Sequence, residues 1–455
     1  MFPNTRAITF VGIAVLTAQA DAFWRLPCAS PVVVERADPI MNPNAVSTHV
    51  HTVMGSNAFN FTMAYDDTQA AGCSTCKVIE DKSNYWVPSL WYQAQNGSFI
   101  DVKQNGGGLI YYLQRSDPSA AEGLVAFPKG FRMVAGTQDS RNYTDTLEQR
   151  AISFVCLGTE GPATSELPNK NCPDGLRTQL IMPSCWDGQN LGSPDHKSHM
   201  AYPSGLDNGV CPNTHPKRFI TLFYEVTWNV DHFKDNWYGN TQPFVFSNGD
   251  THGYGYHADF MNGWDLPTLQ KAIDECNSSS GNIEDCGAFT LRDDDDMAAC
   301  KVLPRVNETI TGVLPALPGC NPIDSDAAVQ RPDCRTATQI GDPILPFTDM
   351  TQKLGWKYTA CAKDPAGQSR TLTGAFSDQP DMTGFQHAGL EFRSQCFCGN
   401  DIPQDRMPTN GTLGDCSMTC AGNSNEFCGG AARVSIYSKC ADPSYCLNYE
   451  GSYLP

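Results

Sequence analysis

The chain has 455 residues, a formal net charge of −18 and 20 cysteines. Its excess of carboxylates repels polyanions over long range, so we expect no nucleic acid among its partners. The cysteines indicate disulfides and an oxidising compartment, and no stretch beyond residue 22 has the roughly 20 apolar residues of a membrane span.

The first 22 residues have the pattern of a secretory signal peptide. Arg6 precedes an apolar run at residues 8–16, and Ala18, Ala20 and Ala22 offer small residues for cleavage. The C-terminus lacks the hydrophobic tail of a lipid-anchor signal. Sequons for N-glycosylation lie at Asn60, Asn96, Asn142, Asn277, Asn307 and Asn410. We therefore expect a secreted, extracellular glycoprotein without a transmembrane segment.

The first polar pattern after the signal is a pair of histidines. His49 and His51 flank Val50, so a strand here turns both imidazoles to one side. Cys73 and Cys76 follow, and their spacing would suggest redox or zinc chemistry in the cytosol. In an oxidising compartment we predict instead that each forms a structural disulfide.

Aromatic residues are concentrated at residues 85–92, around Trp86. Aromatic side chains at this density can line a sugar-binding groove. They more commonly form the core between sheets, and both interpretations are carried forward.

Two later segments combine histidines, carboxylates and aromatic residues. Residues 185–202 contain Trp186, Asp187, Asp195, His196, His199 and Tyr202, and residues 244–265 contain Tyr256, His257, Asp259 and Trp264. If residues 256–260 are extended, His257 and Asp259 project from one face of the strand. Eight of the nine histidines lie between residues 49 and 257, and this clustering favours a functional site.

Many short apolar runs with turn signals predict a mainly β fold. We expect an N-terminal β-sandwich, jelly-roll-like, with long loops and few helices. The clearest helix should begin after Asp265, an N-cap residue, because apolar residues follow it at helical spacing. The acidic run at residues 293–296 is predicted to be a solvated loop. Recurrent prolines at residues 303–347 predict the end of the first domain and a linker.

The C-terminal part resembles a WSC domain. The resemblance is carried by residues 355–361, 370–374, 388–392, 396–400, 416–420 and 426–430. WSC domains are small, disulfide-held modules, and the resemblance implies binding to cell-wall polysaccharide. Tyr358 and Glu391 are candidate glycan-binding residues within these segments.

One part of the WSC pattern is missing here. The family usually carries two further cysteines, whereas Thr383 is followed directly by residues 384–387 and the Ala-Gly-Leu-Glu element, so about ten residues of the usual pattern are absent. The partners of the two missing cysteines must therefore re-pair, stay free or bond with Cys440 or Cys446.

The N-terminal part resembles a fungal secreted family of unknown function that is commonly joined to WSC domains. The likeness is carried by residues 23–28, 49–51, 85–88, 185–188, 195–199 and 257–265. The family implies no established chemistry. The expected organisation is a signal peptide (1–22), this domain (23–335), a linker (336–354), a WSC domain (355–440) and a tail (441–455).

Polysaccharide cleavage is one function that these residues could perform. An imidazole or carboxylate would act as general base and a tyrosine or carboxyl group as general acid, while aromatic rings hold the sugars. The candidate catalytic residues are His196, His199, His257, Asp187, Asp195, Asp259 and Tyr256. The candidate sugar-binding rings are those of Trp86, Trp186, Trp264 and Tyr202.

Metal binding is the second possibility. His49, His51 and His257 would suit zinc, copper or manganese, which makes a divalent metal the candidate cofactor. The zinc-protease pattern His-Glu-x-x-His is absent. The third possibility is a non-catalytic wall protein that the WSC domain attaches to glycan. Glycan association is common to all three.

Overall fold

The computed structural model describes residues 22–116, 123–319, 321–323, 339–341, 343–344, 347–348, 350–376, 384–408, 415–423, 426–441 and 446. The predicted signal peptide up to residue 21, the sequon at Asn410, Cys320, Cys334, part of the predicted linker and nearly all of the predicted tail lie outside these ranges.

The N-terminal part is built from short strands with few helices. Its strands are β1 (Phe23–Cys28), β2 (Val33–Glu35), β3 (His51–Gly55), β4 (Asn84–Pro88), β5 (Leu90–Gln93), β6 (Phe99–Asp101), β7 (Gln104–Leu113), β8 (Arg132–Ala135), β9 (Ile152–Cys156), β10 (Leu176–Ile181), β11 (Cys185–Trp186), β12 (Met200–Ala201), β13 (Lys217–Arg218), β14 (Thr221–Trp228), β15 (Phe244–Phe246), β16 (Ala258–Met261) and β17 (Val313–Leu314). Its α-helices are α1 (Tyr65–Ala70), α2 (Leu147–Arg150), α3 (Leu266–Glu275) and α4 (Asp294–Ala299), and 3₁₀ turns lie at Val230–Asn236 and Ile283–Asp285.

Two five-stranded antiparallel sheets face each other across the main core. Their strand orders are β1-β7-β14-β10-β9 and β2-β3-β4-β16-β8. Ile110 and Tyr224 from the first sheet share one buried cluster with Tyr85 and Phe260 from the second. The predicted mainly β class is confirmed, with 31% of residues in strands and 11% in helices. A four-stranded sheet (β15-β5-β6-β17) and a three-stranded sheet (β12-β11-β13) complete this part.

The second sheet is buried on both faces, and this positions the candidate site. Phe260 contributes to the main core, whereas Val53, Trp86 and Val134 belong to a second cluster on the opposite face. Side chains alternate along a strand, and Asp259 pairs with Trp86 and Val134 in the sheet register, so Asp259 lies on this second face.

The predicted N-cap and helix are confirmed. The Asp265 side chain accepts a hydrogen bond from the Thr268 backbone N–H at 3.1 Å, and α3 buries Leu269, Ala272 and Ile273. The acidic run differs from prediction, because Asp294–Ala299 forms α4. Its first turn carries three carboxylates, which are favourable at a helix N-terminus, and two of them pair with lysines.

The C-terminal part forms a separate five-stranded antiparallel sheet. Helix α5 (Thr351–Leu354) precedes β18 (Trp356–Lys363), β19 (Ala375–Phe376), β20 (His387–Glu391), β21 (Gln395–Gly399) and β22 (Arg433–Lys439), with a 3₁₀ turn at Gln404–Arg406. The strand order is β18-β22-β20-β21-β19. Its cores draw on residues 347–437 alone. The helices in the described ranges all lack the length and hydropathy needed to cross a membrane.

The described disulfides lie within the N-terminal part or within the C-terminal part. The described bonds are Cys28–Cys76, Cys73–Cys300, Cys156–Cys172, Cys185–Cys211, Cys276–Cys286, Cys361–Cys416, Cys420–Cys428 and Cys440–Cys446. The prediction that Cys73 and Cys76 form structural disulfides is confirmed. Cys396 and Cys398 are buried free thiols, so of the three outcomes left open for the incomplete WSC pattern, the structure shows free cysteines.

Candidate metal centre

Three adjacent strands of the second sheet bring His51 and His257 together. His51 at the start of β3 pairs with Pro88 at the end of β4. On the other side of β4, Asp259 pairs with Trp86, and the same antiparallel register places His257 beside Pro88. The two imidazoles therefore flank the short ring of Pro88, and their ring centroids lie 5.7 Å apart.

His49 completes the cluster from the segment before β3. Its ring centroid lies 4.3 Å from that of His51 and 4.9 Å from that of His257. The Nε2 atoms of His49 and His257 are 3.0 Å apart. One ring nitrogen from each of the three histidines lies within 4.8 Å of the other two, a spacing that could hold a metal ion.

The outer ring nitrogens fix how the imidazoles are presented. Nδ1 of His51 lies 3.0 Å from the carbonyl oxygen of Ala37, and Nδ1 of His257 lies 2.9 Å from that of Gly255. A carbonyl oxygen only accepts, so both Nδ1 atoms carry the proton and both Nε2 atoms present a lone pair. Metal-binding histidines commonly donate their second ring N–H to a carbonyl or carboxylate in this way.

The cluster is buried, and two of its three imidazoles are neutral. The side chains of His49, His51 and His257 are 2%, 0% and 4% exposed. Burial lowers the pKa of His51 and of His257 to about 3, and each imidazole of this pair is therefore neutral at ordinary pH. Neutral imidazole is the form that ligates metal ions. Within the described residues, His51 Nε2 has no hydrogen-bond partner.

Two buried carboxyl groups lie next to the histidines. Asp38 follows the Ala37 carbonyl and accepts hydrogen bonds from the backbone of Ile40 and Met41, both at 3.0 Å. Asp259 is fully buried, and neither carboxyl oxygen has a hydrogen-bond partner among the described residues. Burial, followed by the nearby charge of Asp38, raises the pKa of Asp259 well above its usual range. Both carboxyl groups therefore favour their neutral form in the metal-free protein, and a bound cation would lower their pKa values and draw out the negative charge that compensates it.

Tyr256 lies apart from the histidine cluster. It shares the main core with Ala258 and Phe260, the residues at alternate positions along the same strand. Its hydroxyl accepts a hydrogen bond from Thr178 at 2.9 Å. Tyr256 therefore faces the opposite side of the sheet from Asp259.

The loop at residues 187–199 runs along β8, the edge strand of the second sheet. The backbone N–H of Val134 donates to the carbonyl of His196 at 3.1 Å. Asp38 and His196 are close enough for the charge of His196 to act on the pKa of Asp38. His196 is thus near the cluster without joining it.

The other polar residues of this loop stabilise the loop itself. His199 Nε2 lies 2.8 Å from the Arg132 carbonyl, and its Nδ1 lies 3.0 Å from the Ser193 hydroxyl. Asp187 accepts from the backbone of the two residues that follow Gly188. Asp195 accepts from Ser193, and hydrogen bonds of this kind lower its pKa. The two carboxylates thus accept hydrogen bonds within turns, whereas His199 Nε2 donates to the Arg132 carbonyl on β8.

The predicted sugar-binding rings are buried, stacked on another ring or hydrogen-bonded to the main chain. Trp86 and Trp264 are fully buried. Trp186 is half-buried and stacks on Phe219, with centroids 5.2 Å apart. The Tyr202 hydroxyl donates to the Ile181 carbonyl. Among the described residues these rings do not line a common open groove. Trp86 belongs to the second buried cluster, with Val53 and Val134.

The two candidate glycan-binding residues of the C-terminal part are also buried. Tyr358 stacks on Phe347 at a centroid distance of 4.1 Å. Glu391 receives a charged hydrogen bond of 2.7 Å from Arg370. Burial, followed by a hydrogen bond with Asp364, raises the pKa of Glu391 to about 8.

Sequence reasoning missed Asp38 and the Ala37 carbonyl. Asp38 precedes a proline in a short polar segment, which is an ordinary turn signal. Main-chain carbonyls carry no sequence signal at all.

Comparison with known proteins identifies both parts of the chain. A family model described as a domain of unknown function (DUF1996) matches residues 38–264, which include all three histidines of the cluster. A WSC domain model matches residues 358–430.

Curated relatives match limited parts of the chain. A WSC domain-containing protein of Arthroderma benhamiae is 32% identical over 115 residues, which is 23% of this chain and 12% of the relative. A putative fungistatic metabolite of Chaetomium globosum is 33% identical over 108 residues, covering 20% of this chain and 46% of the relative. The chain thus spans less than half the length of these relatives. The two family matches show that the chain consists of a DUF1996 domain followed by a C-terminal WSC domain.

Proposed function

We propose that the DUF1996 domain binds one divalent first-row transition-metal ion through the Nε2 atoms of His49, His51 and His257. We further propose that the protein is secreted and that its WSC domain attaches it to cell-wall polysaccharide. The observation that supports metal binding is the convergence of three buried ring nitrogens, two of them presented by outward Nδ1–carbonyl contacts.

A purely structural role explains this cluster less well. Buried polar atoms in folded proteins are nearly always hydrogen-bonded, yet His51 Nε2 has no partner within the described part of the chain. Three imidazoles packed ring against ring also displace apolar side chains that would stabilise a core at no desolvation cost. A metal ion would satisfy all three inward nitrogens at once.

The dimensions and chemistry of the cluster suit such an ion. Metal–nitrogen distances of about 2.0–2.1 Å in a tetrahedral site place the ligand nitrogens roughly 3.3 Å apart. The observed nitrogens lie from 3.0 Å to at most 4.8 Å apart, so a small inward movement of the rings would close the site. Imidazole ligands favour zinc, copper, iron and nickel over magnesium or calcium.

Burial of the cluster argues against polysaccharide cleavage at the histidines. His257 is 4% exposed and Asp259 is 0% exposed, so a polymer chain has no contact area there within the described surface. The site is suited to an ion alone or to an ion with a small molecule. The WSC match supports carbohydrate binding by the other domain.

Metal analysis tests the first proposal. The purified protein should carry, or take up after dialysis against Zn²⁺, Cu²⁺, Co²⁺ or Mn²⁺, about one ion per chain by plasma mass spectrometry. His51→Ala and His257→Ala should lose that ion while retaining the far-ultraviolet circular dichroism spectrum. His232→Ala is the matched control, since His232 is exposed and lies outside the cluster. Wild-type protein that takes up none of the four ions would overturn the proposal.

Cosedimentation tests the second proposal. The full chain should be depleted from solution by at least one insoluble wall polymer, such as chitin, β-glucan or cellulose. Binding should persist in the His51→Ala variant, because the WSC domain has its own sheet and core. Failure to bind any polymer in the panel would contradict the attachment role.

A further inference from the structure

Two exposed phenylalanines distinguish the surface of the WSC domain. Phe376 is 61% exposed and Phe392 is 53% exposed, and the other phenylalanines in the described ranges are more buried. Single exposed apolar side chains are common, so exposure alone decides nothing. The neighbours of Phe376 are what distinguish it.

Phe376 lies at the end of an ordered stack. It pairs with Phe397 across β19 and β21, and the two ring centroids are 5.0 Å apart. The guanidinium carbon of Arg370 lies 4.7 Å from the centroid of Phe397. Phe397 is buried, so the stack presents one exposed ring at Phe376 and one partly exposed cation at Arg370.

The cation in this stack is held in place. Arg370 lies 2.8 Å from a carboxylate oxygen of Asp364 and 2.7 Å from one of Glu391. Both acids are buried, whereas the arginine side chain is 43% exposed. Hydrogen bonds to ionised groups are the strong ones, so the guanidinium is fixed before any ligand arrives. Its remaining N–H groups can donate to a ligand.

An exposed aromatic ring and an ion-paired donor, both in contact with the Phe397 ring, are suited to a sugar. The C–H face of a pyranose packs on an apolar ring, and its hydroxyl and ring oxygens accept hydrogen bonds from nearby N–H groups. The Asp364 carboxylate already balances the charge of Arg370, since burial raises the pKa of Glu391 and favours its neutral form, and the whole chain carries −18. Both facts favour a neutral polymer over a uronic acid polymer.

We propose that Phe376 and Arg370 form the sugar-binding surface of the WSC domain and that they contact a neutral wall polysaccharide. This inference rests on the proposed attachment to wall polysaccharide and names the residues that make it. Glu391 and Asp364 are positioning residues, since they contact Arg370 from beneath the surface.

The test is cosedimentation of the full chain with insoluble β-glucan and chitin. Phe376→Ala should weaken binding about tenfold, the size expected when one aromatic packing contact is lost. Phe376→Trp should retain binding, because the larger ring preserves the apolar face. Leu354→Ala is the matched control, since Leu354 is a 51% exposed apolar residue in the same region.

The outcomes separate this inference from the proposed attachment. Wild-type protein that binds neither these polymers nor others in the panel would contradict the attachment itself. Wild-type binding that Phe376→Ala leaves unchanged would overturn only the assignment of the surface. Loss of binding in Phe392→Ala but not in Phe376→Ala would also overturn it, by placing the sugar at the β20–β21 turn. Thermal unfolding of each variant checks that the domain remains folded.

Discussion

Nε2 of His49 lies 3.0 Å from Nε2 of His257, and a single proton must lie between them in the metal-free protein. Nδ1 of His257 carries a proton and donates it in a hydrogen bond to the Gly255 carbonyl, so the Nε2 atom of neutral His257 has none. The proton between the two Nε2 atoms therefore belongs to His49. Nδ1 of His49 is then an acceptor, 3.0 Å from the Thr48 hydroxyl. A hydroxyl can also accept, and Thr48 therefore allows His49 to change tautomer and present Nε2 to an ion.

The first prediction concerns this hydroxyl. Thr48→Val should weaken metal affinity by about tenfold, in the range found when partners of metal-bound histidines are removed. Competition with a chromophoric chelator measures the affinity. Thr214→Val is the matched control, since Thr214 makes the same contact with the next residue, His215, outside the cluster. Equal affinities in both variants and wild type would show that the Thr48 contact has no role in ligation.

The second prediction compares two buried carboxyl groups. Asp259→Asn should stabilise the metal-free protein at neutral pH by about 1 kcal/mol, because the amide does not have to take up a proton on folding as the buried acid does, and it should weaken metal binding. Asp250→Asn should destabilise the protein instead, since Asp250 accepts from the backbone of His252 and Gly255. Chemical denaturation with and without a chelator measures both effects. A loss of stability in metal-free Asp259→Asn would contradict the prediction.

The third prediction concerns pH. Burial raises the pKa of Asp81 from 3.8 to about 6 in the folded protein. Between these values the folded state holds a proton that the unfolded state has lost, so stability falls as pH rises and levels off above pH 6. The difference corresponds to about 3 kcal/mol for this buried group.

Asp81→Asn should remove this contribution, because the amide does not ionise. Tyr85 and the Ser83 backbone, which contact the carboxylate at 2.5 and 3.0 Å, can both contact the amide. The free energy of unfolding, measured from pH 4 to pH 7, should therefore fall less steeply in the variant than in wild type. Asp274→Asn, at an exposed position on α3, should follow the wild-type curve. Parallel curves for wild type and Asp81→Asn would contradict the assignment.

The fourth prediction concerns the two free thiols of the WSC domain. Burial, followed by the neighbouring Cys398, raises the pKa of Cys396 to about 12, so both remain unreactive thiols in the folded state. Alkylation without reductant should label neither residue in native protein and both after denaturation, as peptide mass spectrometry would show. Absence of label after denaturation would mean that these cysteines are bonded.

The candidate site was only partly predictable from sequence. The alternation of His49 and His51 predicted that both rings face one side of a strand. The structure brings the rings together, although β3 begins only at His51. His257 joins them only through the register of β3, β4 and β16. Local sequence patterns do not predict this register, because His257 lies about 200 residues after His51 in the chain. Tyr256 could have been separated from His257 by the same alternation rule, because neighbouring strand residues face opposite sides.

The general class of fold was easier to predict than the arrangement of its loops. Short alternating runs and the Asp265 cap suffice for a mainly β protein with one clear helix. The loop carrying Asp195 and His199 looked functional because its residue types match catalytic groups. Short polar side chains also close turns by accepting backbone N–H groups, and sequence alone does not distinguish the two uses. The acidic run that forms α4 was assigned to a loop, although carboxylates are also favourable in the first turn of a helix.

The bond between Cys73 and Cys300 joins residues that are 227 positions apart in the chain. A protease that cuts any exposed loop between these two residues leaves both fragments covalently joined. Such a nicked molecule would run as one species on a gel without reductant and as two or more with it. His257 lies inside the loop that this bond closes and His49 and His51 lie shortly before it, so the segments that carry the histidine cluster would stay joined after such a cut.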